Sequence, residues 1–287
     1  MDTPRRSLLF TPANRPGAFE KALASGADIV CLDLEDAVPP DQKTPSRANA
    51  ISFLGETGPT GVSRAVRINA LGSQAGLEDL IAVAKAAPKT GMIMLPKVAY
   101  AAELKLADSV LSEAGSAITL AALVETLDGL DNVTEIASAS DRLKLIVFGA
   151  VDFSAELGTP NADAPLSYAR GRIVHAAKRA GVDVMDVPEL NFRDMDAIQH
   201  SAARACELGF SGKAAIHPAG IEIVNTVFTP SLEEIDHAKR VIAAFEASPN
   251  GLAVLDGQLV EAPVIKAMQR RLAIAEACGL IGSNSDG

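Results

Sequence analysis

Two apolar runs near the middle of the chain, ITLAALVE (118–125) and LKLIVFGAVDF (143–153), show no alternation of polar and apolar positions. That pattern belongs to strands covered on both faces. Between them Leu130, Val133, Ile136 and Ala137 recur at helical spacing, after Thr126 and Asp128. The unit reads as strand, helix, strand, with the crossover leaving both strands parallel. Each run ends in a carboxylate, Glu125 and Asp152, and the two then lie at the same edge of a sheet.

The same pattern extends along the chain. Strands are predicted at 7–12, 29–35, 64–69, 91–97, 118–125, 143–150, 183–188 and 212–218, with Ala-rich amphipathic segments such as 18–25, 77–87 and 195–208 between them. Alternation through eight units predicts a closed parallel (β/α)8 TIM barrel of the α/β class. A doubly wound open sheet competes, but it usually has fewer strands, and no G-x-G-x-x-G follows the first strand. Polar residues collect where the strands end: Asn14 and Arg15, Glu35 and Asp36, Arg67 and Asn69, Lys97, Glu125, Asp152, Glu189 and His217. In a barrel these share the C-terminal face, where active sites form.

The pattern changes after the eighth strand, dividing the chain into a catalytic barrel (1–228) and a C-terminal extension (229–287). Ser231 and Glu234 form a capping box for a helix that SPNG (248–251) ends. LAVLDGQLVEAP reads as a hairpin turning at Asp256-Gly257, and a last helix runs from Pro263 toward Gly279. Such a helix–hairpin–helix is not needed to close a barrel, so it is expected to serve as a lid, a subunit contact or both. The tail from Gly282 is expected to fray.

Composition narrows the partners. A formal net charge of −10 argues against general affinity for nucleic acid. No run reaches membrane-spanning length, and the first residues lack the apolar core of a signal peptide. Cys31, Cys206 and Cys278 are scattered among apolar neighbours and read as reduced structural thiols of a cytoplasmic protein.

The candidate chemistry follows from the charged strand ends. Glu125 or Asp152 alone reads better as a cap of the following helix; as a pair of anions they favour a hard divalent cation, Mg²⁺. Asp33, Glu35 and Asp36 form the densest acidic cluster, with Asp33 and Glu35 on one strand face and Asp36 on the other. A carboxylate there orients a metal-bound water or an arginine, or simply suits a helix N-terminus. Arg67, inside the strand RAVRIN, needs a carboxylate partner such as Asp36 or a substrate, and its fork suits an enolate oxygen. Arg15 and Lys21 are placed to grip a phosphorylated ligand, whereas Arg5 and Arg6 read as an exposed basic face. Nucleophile motifs are missing, which leaves metal-assisted chemistry.

RRSLLFTPANRP, CLDLEDAVPPDQK, AVRINA, MLPKV, ALVET, FGAVDFSAELG, GKAAIHP and LDGQLVEAP together resemble the citrate lyase β-subunit-like proteins of the HpcH/HpaI aldolase superfamily, over roughly residues 5–275. The resemblance implies a Mg²⁺-dependent barrel acting on short acyl-CoA thioesters as a homotrimer or homohexamer. It implies cleavage of a malyl-, citramalyl- or citryl-CoA to acetyl-CoA and a 2-oxo acid. A thioesterase, a malate synthase-like condensation, or a citrate lyase subunit active only in a complex are the alternatives. By position, Glu125 and Asp152 match the metal ligands, and Arg67 the arginine on the substrate carbonyl and enolate, with Asp36 in the catalytic set. Phe10, Arg15, Lys21, His217 and Pro218 match the coenzyme A contacts. Glu261 stands where many relatives carry the Asp that acts as acid/base in a neighbouring subunit's site.

Overall fold

The computed structural model describes residues 4–55, 61–248 and 252–282. Among the described residues, eight parallel strands close into a barrel in chain order: β1 Ser7–Pro12, β2 Ile29–Asp33, β3 Ser63–Arg67, β4 Met92–Leu95, β5 Thr119–Val124, β6 Leu143–Phe148, β7 Asp183–Asp186 and β8 Gly212–Ala215. The barrel expectation holds, and β8 pairs back onto β1 with Ser7 opposite Lys213.

Both faces of these strands are buried for different reasons. Leu8, Ile29, Cys31, Met94, Leu123, Val147 and Met185 fill the barrel interior as alternate positions of their strands. The intervening positions, among them Val30, Leu32, Val66 and Ile146, are buried on the opposite face of the sheet. This two-sided burial removes the polar/apolar alternation that a half-exposed strand shows.

The helices are α1 Phe19–Leu23, α2 Lys43–Gly55, α3 Gln74–Ala86, α4 Ala101–Glu113, α5 Leu127–Asp131, α6 Val133–Ala137, α7 Ala150–Leu157, α8 Asp163–Ala180, α9 Met195–Glu207 and α10 Ile221–Val227. Local chemistry sets several starts: the side chains of Ser73, Thr126 and Asp194 accept from the backbone N–H three residues on. The crossover between β5 and β6 is two short helices rather than one, broken at Asn132, whose φ of −94° and ψ of 7° leave the helical region.

Buried ion pairs tie the layers together. Arg5 and Arg6, expected on an exposed basic face, are instead half-buried and paired to Asp183 and Asp28 at 2.7 and 2.8 Å, joining the starts of β1, β7 and β2. Asp186 and Lys213, neighbours in register on β7 and β8, pair at 3.1 Å beside Arg170 of α8. Lys213 is 1 % exposed and also donates to the Val187 carbonyl at 2.7 Å. Of the cysteines, Cys31 is buried in the barrel interior, where burial pushes its thiol up, but Cys206 is exposed and does not serve the core.

The chain divides into two compact units, the barrel unit Arg5–Asn225 and a second that takes in the chain from Thr226 onward. In the second unit α11 (Leu232–Glu246) begins at the expected Ser231/Glu234 capping box. Strands β9 (Ala253–Leu255) and β10 (Gln258–Val260) pair antiparallel, and α12 (Ala262–Ala277) follows. Asp256 and Gly257 take φ of 51° and 79°, the left-handed pair that a two-residue hairpin turn requires. Val241, Val260 and Ile265 form this unit's small core. The expected break at Pro249–Gly251 and the tail beyond Gly282 lie outside the described residues. No described helix is long and apolar enough to cross a membrane.

Candidate active site

At the C-terminal ends of the strands, Phe10, Asp33, Asp36, Arg67, Glu125 and Asp152 open on one cavity of about 360 Å³. Five of these are singled out in the sequence as site residues; the structure brings them together from the ends of five strands, β1, β2, β3, β5 and β6, and the segments that follow.

Arg67 is the organising cation. It is the last residue of β3, not an interior one, because Ile68 and Asn69 have left the ladder. Its register partner on β2 is Asp33. Nε and Nη2 donate to the two Asp33 oxygens at 2.7 and 2.6 Å, a bidentate fork that fixes the guanidinium plane. Asp36, the expected partner, lies farther off at 3.6 Å, since β2 ends at Asp33 and the chain turns before Asp36. Nη1 stands 3.0 Å from Glu35 Oε2, and the Phe10 ring lies 5.2 Å from the guanidinium carbon. Asp33 holds this turn too, accepting from the N–H groups of Glu35 and Ala37 at 2.9 and 3.1 Å.

Two lysines complete the frame: Lys97, which the sequence placed among the strand ends of this face, and Lys43, which it did not mark. Lys43 donates to the carbonyls of Leu34 and Glu35 and to Asn69 Oδ1, at 2.6, 2.6 and 2.7 Å. Lys97 bonds Glu35 Oε1 through its ammonium at 2.7 Å and Glu125 Oε1 through its backbone N–H at 2.8 Å. Burial raises the Glu35 carboxyl above its ordinary value, against the opposing pull of Arg67.

Glu125, directly after β5, is 2 % exposed. Burial, with the Glu35 and Asp152 charges, pushes its carboxyl up to about 8. Gly149 makes room for it: a Cβ there would stand 2.5 Å from both the Glu125 Cβ and Oε2. Asp152 is not at a strand end as expected. β6 stops at Phe148, and Asp152 sits in the first turn of α7, where the helix's free N–H groups favour an anion.

The remaining predicted residues lie elsewhere. Arg15 and Lys21 are exposed beyond β1, around a short turn at Pro16–Ala18, and do not line the cavity. His217 follows the end of β8 and caps the turn at Pro218–Gly220, its Nδ1 accepting from Ala219. Its ring stacks on Phe192 with centroids 4.9 Å apart, and it lines a separate, smaller cleft. Glu261 stands exposed in the second unit, at the N-cap position of α12.

The profile of the HpcH/HpaI aldolase/citrate lyase family matches residues 6–218. The chain is 37 % identical over 279 residues to a (3S)-malyl-CoA thioesterase of Cereibacter sphaeroides, covering 96 % of this chain and 95 % of that one. It is 33 % identical to the L-malyl-CoA/beta-methylmalyl-CoA lyase of Cereibacter sphaeroides, covering 92 % of each. Among solved structures, the CitE protein of Mycobacterium tuberculosis in complex with magnesium, acetoacetate and coenzyme A superposes with a TM-score of 0.79 at 33 % identity, over 95 % of this chain and 98 % of that one. By sequence and by fold, the chain belongs to the HpcH/HpaI aldolase/citrate lyase family.

Proposed function

We propose that the chain is a Mg²⁺-dependent carbon–carbon lyase that cleaves a 3-hydroxy-3-carboxyacyl-CoA to acetyl-CoA and a 2-oxo acid. The observation that carries this is the meeting of the Glu125–Asp152 carboxylates and the Arg67 guanidinium in one cavity.

The residues fit the cation. Glu125 is held largely protonated by burial and neighbouring charge, a cost that a divalent ion removes. Among the described residues no three His, Cys, Asp or Glu side chains converge as a metal cage. A cation held by Glu125 and Asp152 alone keeps positions for substrate oxygens and water, as Mg²⁺ does. Bound there, it supplies Lewis-acid polarisation of the oxygen on the cleaved carbon.

The chain's own groups divide the rest of the reaction. Asp36, 59 % exposed at its side chain and only loosely paired, is assigned the hydroxyl proton. Breaking the bond between the carbinol carbon and C2 leaves its electron pair on the thioester as an enolate. Arg67 keeps N–H bonds beyond the two given to Asp33, and these stabilise that oxygen. Glu261 of a neighbouring copy in a homo-oligomer is assigned the proton that returns to C2, because Glu125 and Asp152 are taken by metal. Arg15, Lys21, His217 and Pro218 are assigned to coenzyme A, outside the reacting cavity.

A thioesterase is the second reading, favoured by the 37 % identical relative of that name. Incubating the isolated chain with Mg²⁺ and malyl- or citramalyl-CoA separates the two. The lyase reading expects acetyl-CoA and glyoxylate or pyruvate in equal amounts. Free coenzyme A thiol with intact malate or citramalate would overturn it.

A further inference from the structure

The turn that carries Glu35 and Asp36 is held on both sides of its backbone. Asp33 accepts from the N–H groups of Glu35 and Ala37, and Lys43 donates to the carbonyls of Leu34 and Glu35 at 2.6 Å each. The third N–H of that ammonium goes to Asn69 Oδ1 at 2.7 Å, so all three are used. Lys43 does not line the cavity. It is also the first residue of α2, where free helix N–H groups disfavour a cation, so helix stability does not account for it.

Asn69, buried after β3, is oriented from the outer layer of helices. Its amide nitrogen donates to Asp79 Oδ2 at 2.6 Å, and its backbone N–H donates to the same oxygen at 2.9 Å. A carboxylate only accepts and an ammonium only donates, so Asp79 turns the Asn69 oxygen toward Lys43. Asp79 is fully buried on α3, and its other oxygen accepts from Arg47, one turn beyond Lys43 on α2. Gly76 permits the close approach of α3, since a Cβ there would stand 2.5 Å from the Asn69 carbonyl oxygen. The Asp36 carboxylate stands 3.6 Å from Arg67 and 3.9 Å from Lys97, beyond hydrogen-bond length. The backbone of its turn therefore sets its direction.

We propose that Lys43, locked by Asn69 and Asp79, is a positioning residue that aims Asp36 at the substrate hydroxyl without touching substrate. The inference rests on the lyase reading and on its assignment of Asp36.

The experiment is a double-mutant cycle on the Mg²⁺-loaded chain with malyl- and citramalyl-CoA, using Lys43→Met, Asp36→Asn and the pair. Lys43→Met is expected to lower kcat by roughly 10–10²-fold, with KM and Mg²⁺ affinity changed less than about threefold. In the Asp36→Asn background the same change should cost less than about threefold in kcat. An equal loss in both backgrounds, a matching loss of Mg²⁺ affinity, or full kcat in Asp36→Asn would overturn the proposal and leave the lyase reading intact. Circular dichroism checks the fold, and Lys43→Gln carries the same cycle if Lys43→Met does not fold. If the wild-type chain cleaves neither thioester, the lyase reading fails, and amide hydrogen exchange decides the positioning role. Lys43→Met is expected to speed exchange at Glu35–Ala37 at least about tenfold while the amides of β2 and β3 keep their protection; unchanged exchange in the turn overturns it.

Discussion

The backbone N–H of Lys97 donates to Oε1 of Glu125 at 2.8 Å, and Lys97 reaches this position with a φ of 53°. A lysine in the left-handed region is held there at a cost of roughly 1–3 kcal/mol. On its other side, the carboxylate packs against the bare backbone of Gly149. One strained residue after β4 and one missing side chain after β6 therefore set the Glu125 orientation.

Gly149→Ala tests that fit. The added Cβ would sit 2.5 Å from Glu125 Cβ and Oε2, so the carboxylate must move. Overpacking of this kind costs about 1–3 kcal/mol, which a folded barrel survives. Calorimetry is expected to show Mg²⁺ affinity reduced at least about tenfold while the circular dichroism spectrum is kept; unchanged affinity would mean that Gly149 does not position Glu125.

The high Glu125 value sets a pH dependence. The folded metal-free protein holds a proton on this carboxyl up to about pH 8, whereas an ordinary glutamate loses it near 4.5. Between those values the folded state binds more protons than the unfolded one, so metal-free stability falls as pH rises through this window. Glu35 is raised as well and acts in the same direction. Mg²⁺ binding by Glu125 must displace the proton, so affinity rises toward about pH 8 and protons are released. Urea melts in chelator across this range should show the decline, and Glu125→Gln should flatten part of it.

Arg67 and Arg15 are assigned to different ends of the substrate. Arg67→Lys keeps a charge but loses the fork on Asp33, and kcat should fall by roughly 10²–10³. Arg15→Ala, at an exposed position beyond the cavity, should chiefly raise KM. Steady-state kinetics of the two variants read the split, and the opposite pattern would refute the division.

Asp186 is a structural anion. Asp186→Ala leaves Lys213, 1 % exposed, and Arg170 without their shared carboxylate. Removing one partner of a buried pair costs about 3–5 kcal/mol, to be read from urea denaturation. The fraction that remains folded should turn over substrate normally.

The barrel was legible because two-sided burial writes its strands as unbroken apolar runs, and the crossovers between them are long enough for helices. Strand ends were less so: Glu35, Asp36 and Asn69 continue an extended-looking pattern after the ladder has stopped. Glu125 and Asp152 could be paired from sequence because both follow apolar runs of one unit. The Arg67–Asp33 fork could not, since it depends on the register of β2 against β3 across 34 residues of separation. Lys43 lies in a segment with no periodic signal at its start. The burial of Arg5 and Arg6 depends on Asp28 and Asp183 meeting them at the barrel's other face, a relation that only closure creates.

The most direct test of the account measures acetyl-CoA and 2-oxo acid formed by the isolated chain from citramalyl- and malyl-CoA as free Mg²⁺ is varied from chelator to saturation. The account predicts equimolar products, no turnover in chelator, and a saturable dependence on Mg²⁺ that Glu125→Gln and Asp152→Asn each abolish. Full turnover in chelator, or full activity in either variant, would contradict it.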